Sequence, residues 1–390
     1  MNKGAYVFSQ ILGLVSHKKF QTIVNQHLGD YKVRDFTCWK QYLCMAFGQL
    51  THRESLSDTM LCLKANAGKL YHLGIGNPVS VSTISRANET RSYKIYETLA
   101  GQLIQEAKEL YVDEKDNDVW LHGSVFAIDA TTIDLSLSAF WWATFRTTKG
   151  GIKLHTQLDL STAIPEFILV TPASVHDVRI LDLIRFEANN FYIMDRGYID
   201  YKRLFRIHEQ GAYFVTRAKD NMSYRRVYSH EKDADAGVLY DQSVKLDNYY
   251  ASIDYPVKIR RIKYRDADTG KTWVFLTNNF QIKATDIAQL YKNRWKIELF
   301  FKWIKQHLKI KSFWGLSENA VKSQIWIAIS VYVLVAIAKK RFMLKHSLYE
   351  ILQVLSISIL ERVPVNQLFT EYQLQYFKDQ NDNQLKLFDL

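Results

Sequence analysis

Cysteine and proline are scarce in this chain of 390 residues, which has three cysteines and five prolines. Cys38, Cys44 and Cys62 show no Cys-x-x-Cys spacing. That argues against a disulfide framework or a zinc cluster and for reduced, buried thiols in an intracellular protein. No Gly-x4-Gly-Lys-Ser/Thr loop occurs, so a nucleotide cofactor is not expected. Internal repeats and low-complexity tracts are absent. Long apolar runs are nearly so: Ile325 to Ala338, bounded by Lys322 and Lys339, stands alone. It is shorter than the roughly 18–20 residues of a membrane span, so it is expected to be a buried helix, with no membrane partner. No basic-then-apolar signal segment opens the chain, which suggests a cytoplasmic protein. Acid is the minority charge, with 40 Asp and Glu against 51 Lys and Arg, a net charge of +11. That excess suits a polyanionic partner.

What is present describes a globular protein: 47% of residues are hydrophobic and 14% aromatic. The length allows several structural units with a sizeable core. Up to residue 112 the pattern is helical. KQYLCMAFGQLTH and RESLSDTMLCLKA carry helical spacing, and STISRANETRSYKIYETLAGQLIQEAKEL reads as a long helix with Ser82 as its cap. The break before it, GIGNPVSVS, resembles a helix-turn-helix connection, so DNA contact or plain helical packing is expected of residues 1–112. The polar segment Asp113–Trp120 reads as a linker.

Strand patterns then begin. SVFAI ends in Asp129 and NFYIM in Asp195, with GIKLHTQLDLS and PEFILVTPAS as hairpin strands between them. SVHDVRILDLIRFEA reads as a helix capped by Ser174, and YIDYKRLFRIHEQG as another. Strands mixed with helices, with continuous apolar runs, predict an α/β fold: a mixed sheet flanked by helices over 119–211. Residues 212–280 read as a β-rich insertion with a hairpin turn at 266–270. Residues 281–315 return as a helix of the core, and 316–390 as a C-terminal helical region.

That returning segment, YKNRWKIELFFKWIKQHLKI, carries Tyr291, Arg294, Glu298 and Lys305. At helical spacing their directions fall within about 60° of one another, on one stripe. Leu290, Ile297, Phe301, Ile304 and Leu308 form an apolar stripe roughly 80° away, so the polar stripe borders the buried face. Asp129 and Asp195 each close an apolar run, where a strand end would bring a carboxylate to the mouth of the sheet. If the two strands are neighbours the carboxylates converge and repel unless a cation lies between them. With Glu298 they supply three hard oxygen ligands, suited to Mg²⁺ or Mn²⁺ rather than zinc. A pair of ions so held can stabilise the attacking and leaving oxygens of a phosphoryl transfer.

Asp129, Asp195 and Glu298, the last within Tyr-x2-Arg-x3-Glu-x6-Lys, resemble the catalytic pattern of the DDE transposases of the bacterial IS-four insertion-sequence family. AIDATTIDLS, GIKLHTQLDLS, MDRGYIDY and TRAKDN also look like that family, and the resemblance spans about Ser124 to Ile310. It implies an RNase H-like core interrupted by a β-rich insertion, two Mg²⁺ ions (Mn²⁺ substituting) per active site, and cut-and-paste transposition. Asp129 would bridge both ions, Asp195 would bind one and Glu298 the other. Tyr291, Arg294 and Lys305 would hold phosphates of the transposon end. The implied partners are double-stranded DNA, as terminal inverted repeats and target, and a second copy of the chain on that DNA, at the bacterial nucleoid.

Trp295 is a candidate stacking platform for a flipped base, or a packing residue. Arg217, Lys219 and Lys302 are further candidate DNA contacts. His155 and His176 are not needed by a two-metal mechanism, and His176 is expected to be structural. Competing readings are an RNase H-like nuclease or resolvase without strand transfer, a DNA-binding regulator derived from this fold, and a tyrosine recombinase using Tyr291 as nucleophile.

Overall fold

The computed structural model describes residues 4–112, 123–136, 140–146, 149–307 and 313–370. The chain divides into two compact units. One comprises residues 1–113 and 303–390, the other residues 114–302.

The first unit opens with α1 (Val7–Leu12), α2 (His17–Gln26), α3 (Cys38–Leu50), α4 (Leu56–Ala65), α5 (Val81–Thr90) and α6 (Lys94–Tyr111). Hydroxyl caps set several starts, as Ser55 accepts from the Asp58 amide at 3.0 Å and Ser80 from the Thr83 amide at 3.2 Å. The cap of α5 is therefore Ser80, two residues earlier than the expected Ser82. The long helix expected from Ser82 onward is two helices, because Arg91 is extended.

The second unit contains β1 (Val125–Leu135), β2 (Thr144–Arg146), β3 (Lys149–Asp159), β4 (Pro165–Pro172), β5 (Phe191–Met194), α7 (Tyr201–Glu209) and β6 (Tyr213–Arg217). It continues with β7 (Tyr224–Ser229), β8 (Val238–Leu246), α8 (Tyr249–Asp254), β9 (Ile259–Arg265), β10 (Thr272–Thr277), α9 (Ala284–Lys292) and the first part of α10 (Trp295–His307). All ten strands form one sheet in the order β2-β3-β1-β5-β6-β10-β9-β8-β7, with β4 beside β3. β1, β3 and β4 are antiparallel neighbours, and β5 and β6 join parallel to β1. Three antiparallel strands followed by two parallel ones make the RNase H-like core.

β6 lies inside that parallel core, so the departure from it follows Arg217 and not residue 212. The antiparallel ribbon β7 to β10 extends the same sheet, because β10 pairs with β6. The hairpin expected at 266–270 joins β9 to β10. Asp266 accepts from the amides of Asp268 and Thr269, and Gly270 takes the left-handed conformation, φ 67°. Phe126, Ile128, Tyr192, Met194, Phe214 and Leu276 are among the side chains packing one face of the sheet against Leu204 and Ile207 of α7.

The helix expected over SVHDVRILDLIRFEA is a single 3₁₀ segment, Asp177–Asp182. Two arginines of α7 do the work that a longer helix would have done. Arg203 pairs with Asp182 at 2.7 Å. Arg206 donates to the carbonyls of Leu181 and Ile184, satisfying backbone groups without a helical ladder.

After α10 come α11 (Glu318–Arg341) and α12 (Leu348–Ser358), back in the helical unit. α11 packs on α3, α5 and α6. It is long and apolar enough by length and composition to cross a membrane, but 94% of its most apolar window is buried in the structure, as in a core helix. It also runs beyond the apolar stretch at both ends. Asn319 of α11 donates to the carbonyls of Asn88 and Arg91, pinning the break between α5 and α6.

Candidate active site

Asp129 and Asp195 sit on neighbouring strands. The last parallel pair of β1 and β5 is Ile128 with Met194, so each aspartate is the next residue along its own strand. Asp195 ends its strand as expected. Asp129 does not: β1 runs on to Leu135 because β3 continues to pair with it, Asp129 lying opposite Thr156. Only the β5 side of β1 stops at Asp129, and that is the side on which the site opens.

Asp129 Oδ1 accepts from the Ala130 amide at 2.8 Å, and Oδ2 accepts from Arg294 Nη1 at 3.1 Å. Burial pushes its pKa up to about 6, with the charges of Asp195 and Glu298 adding to the rise and the Ala130 amide and Arg294 opposing it. Asp195 caps a short 3₁₀ turn, Arg196–Tyr198, its Oδ1 accepting from the Gly197 amide at 2.7 Å. A β-carbon at Gly197 would lie 2.9 Å from that same oxygen, so glycine is what lets the carboxylate lie back on the turn. Thr216 at the end of β6 donates to the Asp195 carbonyl at 3.0 Å, which locks the two parallel strand ends together.

The third carboxylate arrives on a broken helix. The segment expected as one helix is α9 and α10, separated at Asn293 and Arg294. The amides of Lys296 and Ile297 reach back only three residues, to Asn293 and Arg294. Glu298 lies in the first turn of α10, where the helix dipole favours a negative charge. The apolar stripe holds where described: Leu290, Ile297, Phe301 and Ile304 are buried, while Leu308 lies outside the described residues.

Arg294 links the parts. Its second guanidinium nitrogen donates to Glu298, so one side chain bridges Glu298 and Asp129. It also lies over the Tyr291 ring at 5.7 Å, and Arg217 lies over the same ring at 5.8 Å. Tyr291 is buried, and its hydroxyl has no hydrogen-bond partner among the described residues. Burial raises its pKa, with both arginines opposing. Neither partner near its ring is a carboxylate, which gives no support to Tyr291 as an activated nucleophile.

The remaining candidates are spread more widely. Trp295 is 51% exposed, so it is no core residue. Lys219 donates to the Ile199 carbonyl at 3.2 Å. Lys302 is exposed at the end of this unit, and Lys305 belongs to the helical unit. His155 is buried, bonded through Nε2 to Thr171 at 2.8 Å. Burial lowers its pKa to about 4, so it is neutral near pH 7. The three cysteines are free thiols.

Two contributors have little or no signature in the sequence. Gly197 has a signal in retrospect, glycine two residues after a strand-ending aspartate. Tyr198 lies in the string MDRGYIDY but is not singled out by it: it is 1% exposed, and its hydroxyl has no partner among the described residues.

Asp129 and Glu298 on one half-buried guanidinium, with Asp195 on the neighbouring strand, supply hard oxygen donors that suit a divalent cation, and the raised pKa of Asp129 marks a charge that its surroundings compensate poorly. The expected shared ligand cluster is nevertheless not assembled. Among the described residues, no three His, Cys, Asp or Glu side chains could hold one ion together. Glu298 instead accepts from Arg294, which also donates to Asp129.

Two carboxylates at the parallel seam of an RNase H-like sheet, with a third on a returning helix, are the arrangement expected of a polynucleotidyl transferase. Residues 120–334, more than half of the chain, match the Transposase DDE domain family. The chain belongs to that family. Residues 3–76 match a domain of unknown function, DUF4372. The chain is 39% identical over 218 residues to y4zB of Sinorhizobium fredii, a protein named as a transposase, covering 55% of this chain and 60% of that protein. It is 28% identical over 272 residues to a protein of Geobacillus stearothermophilus named as the transposase of insertion sequence element IS5377, covering 69% of each. A Synechocystis protein named for the element IS4SA is 26% identical over 273 residues, 66% of this chain and 72% of its own length.

Proposed function

We propose that this chain is the transposase of an insertion sequence, cutting and joining DNA at terminal inverted repeats. The carrying observation is the β1–β5 register that sets Asp129 beside Asp195, with Glu298 tied to Asp129 through Arg294. Family membership supports the reading.

Asp129, Asp195 and Glu298 would hold divalent cations, two Mg²⁺ per site with Mn²⁺ able to substitute. When bound, such ions supply Lewis acidity to the phosphodiester and charge neutralisation in the transition state. Asp129 neighbours Asp195 on the adjacent strand and shares Arg294 with Glu298, so it is suited to be shared. The Ala130 and Gly197 amides fix the rotamers of Asp129 and Asp195, which pre-organises the acidic cluster. In the protein alone, Arg294 partly offsets the charges of Glu298 and Asp129. On DNA, its guanidinium is suited to exchange these two carboxylate oxygens for phosphate oxygens, which can take both nitrogens at once. Tyr291 orients Arg294 from beneath by its ring face. Lys302 and Lys305 along α10 add phosphate affinity, and Trp295 offers a stacking face for an unpaired base.

Strand transfer conserves phosphodiester energy, so no nucleotide cofactor is required. Joining two ends implies two copies of the chain on one DNA assembly.

The test uses DNA from either side of the gene, carrying short inverted repeats, with a supercoiled target plasmid and Mg²⁺. Cleavage at the repeat boundary followed by joined product is expected, and Asp129→Ala should abolish both while end binding persists. Cleavage with no joined product would favour a nuclease. Undiminished cleavage by Asp129→Ala would overturn the site.

A further inference from the structure

Helix α9 is held at both ends by the antiparallel ribbon. Arg260 of β9 pairs with Asp241 of β8 at 2.6 Å, and both side chains are buried. The same guanidinium donates through Nη1 to the carbonyls of Asn279 and Ile282, at 3.2 and 2.6 Å, in the connection that leads into α9. At the other end Lys292, the last residue of α9, reaches the turn between β9 and β10, its Nζ 2.5 Å from Asp266 Oδ2. Between these ties Ile287, Leu290 and Tyr291 are buried, and the Tyr291 ring lies 5.0 Å from that of Phe275 on β10.

The tie at Lys292 differs from an ordinary surface ion pair. The Asp266 side chain is only 3% exposed. Both of its oxygens are used, Oδ1 by the amides of Asp268 and Thr269 and Oδ2 by Lys292. The Lys292 ammonium and the Thr269 amide hold its carboxyl down to about 2, so it is charged at neutral pH. An exposed pair would order two side chains for little gain. Here a turn already closed by its own amides presents a buried charge to the end of a helix.

The helix breaks directly after Lys292. The amides of Arg294, Lys296 and Ile297 reach back only three residues, to Tyr291, Asn293 and Arg294. No continuous α-helical ladder therefore carries the direction of α9 into α10, and the aim of α10 depends on what grips the chain on either side of the break. Just after it Arg294 binds Asp129 and Glu298. Just before it Lys292 binds Asp266. Glu298 is six residues past Lys292, about 9 Å along a helix, so a tilt of about 10° at the break would move it by about 1.5 Å. A misplacement of about 1 Å can cost about 100-fold in rate.

We infer that Asp266 is a positioning residue for Glu298: the β9–β10 turn, gripping Lys292, fixes the break from which α10 carries Glu298 towards Asp129. The inference rests on the assignment of Glu298 to the active site, so one arm of the test needs neither metal nor DNA. In full-length protein carrying Cys62→Ser, nitroxide labels at Ile253→Cys on α8 and Leu299→Cys on α10, both exposed positions, report the direction of α10 relative to the ribbon by pulsed EPR. Asp266→Asn keeps an acceptor for the turn amides but removes the charge, and should shift or broaden that distance by about 1–2 Å. On the flanking DNA with Mg²⁺ it should slow single-turnover cleavage about 10- to 100-fold, with DNA affinity unchanged. Lys292→Arg should keep most of the rate. Asp268→Asn, at an exposed acid 3.9 Å from Lys292, should match the parent chain in both arms. Asp266→Asn combined with Lys292→Met should be no slower than Lys292→Met alone. If circular dichroism shows that Asp266→Asn misfolds, Lys292→Met, which leaves the turn's own bonds in place, carries both arms. An unmoved distance overturns the inference, as does a rate that falls only in proportion to the unfolded fraction. A moved distance with parental cleavage, where Glu298→Gln is inactive, also overturns it. Parental cleavage by Glu298→Gln would instead sink the carboxylate assignment, and the distance alone would then decide.

Discussion

Asp129 and Asp195 are each the first residue past the last parallel pair of β1 and β5, Ile128 with Met194. Two acids one strand apart at a buried seam repel each other, and the protein alone offers Arg294 as the chief counter-charge.

That relationship sets a pH dependence. The pKa of Asp129 is about 6 in the folded protein against an ordinary 3.8. Between these values the native state holds more protons than the unfolded chain, so metal-free stability falls as pH rises through about 4 to 6 and levels off above. The cost at pH 8 is on the order of 1–3 kcal/mol. Asp129→Asn should therefore raise metal-free stability at pH 8 by about that amount and flatten the slope, read by denaturant melts across the window. Added Mg²⁺ should stabilise the parent chain and leave the variant nearly unchanged. Identical pH slopes in the two proteins would refute the assignment.

Arg294→Gln addresses the bridge itself. Without the guanidinium, Asp129 keeps a poorly compensated carboxylate, so metal-free stability at pH 8 should fall by about 1–3 kcal/mol. The same oxygens would no longer be occupied by a competing cation. The Mg²⁺-induced rise in Tm should then be larger than in the parent chain, while DNA cleavage falls. A smaller Mg²⁺ response would mean that Arg294 assists the cation and does not compete with it.

The aspartates are legible in the sequence because each ends an apolar run, a local pattern that survives folding, and Glu298 is legible from its spacing to Tyr291, Arg294 and Lys305. What escapes is tertiary. The continuation of β1 past Asp129 is decided by β3 on its other edge. The loss of the 174–188 helix is decided by Arg203 and Arg206 reaching in from α7. The turning of Glu298 onto Arg294 depends on how the break at Asn293 aims α10. Membership of β6 in the parallel core is hidden because its five residues look alike whether they pair with β5 or with an inserted ribbon.

Gly197→Ala tests how tightly Asp195 is seated. The added methyl meets Oδ1 at 2.9 Å, which forces the carboxylate off the amide that holds it. Displacements of this size cost on the order of 10- to 100-fold in rate. Since Gly197 has no positive φ to lose, stability should fall by less than about 1 kcal/mol. A cleavage assay beside a thermal melt separates the two effects. A large loss of stability with cleavage in proportion would make Gly197 a folding residue instead.

Tyr198 is the residue whose environment is hardest to justify by stability. It is 1% exposed, its hydroxyl has no partner among the described residues, and burial followed by the charges of Asp129, Asp177 and Asp195 holds its pKa well above the usual range. A buried hydroxyl without a partner costs free energy, so Tyr198→Phe should leave stability unchanged or raise it by up to about 1 kcal/mol. Tyr198→Ala, which opens a cavity, should lose about 3–5 kcal/mol. If the hydroxyl serves as a donor to the carboxylates once DNA and metal are in place, Tyr198→Phe should cleave at least about tenfold more slowly while melting like the parent chain. Parent-like cleavage by Tyr198→Phe would show that the ring alone is used, as packing under the two strand ends.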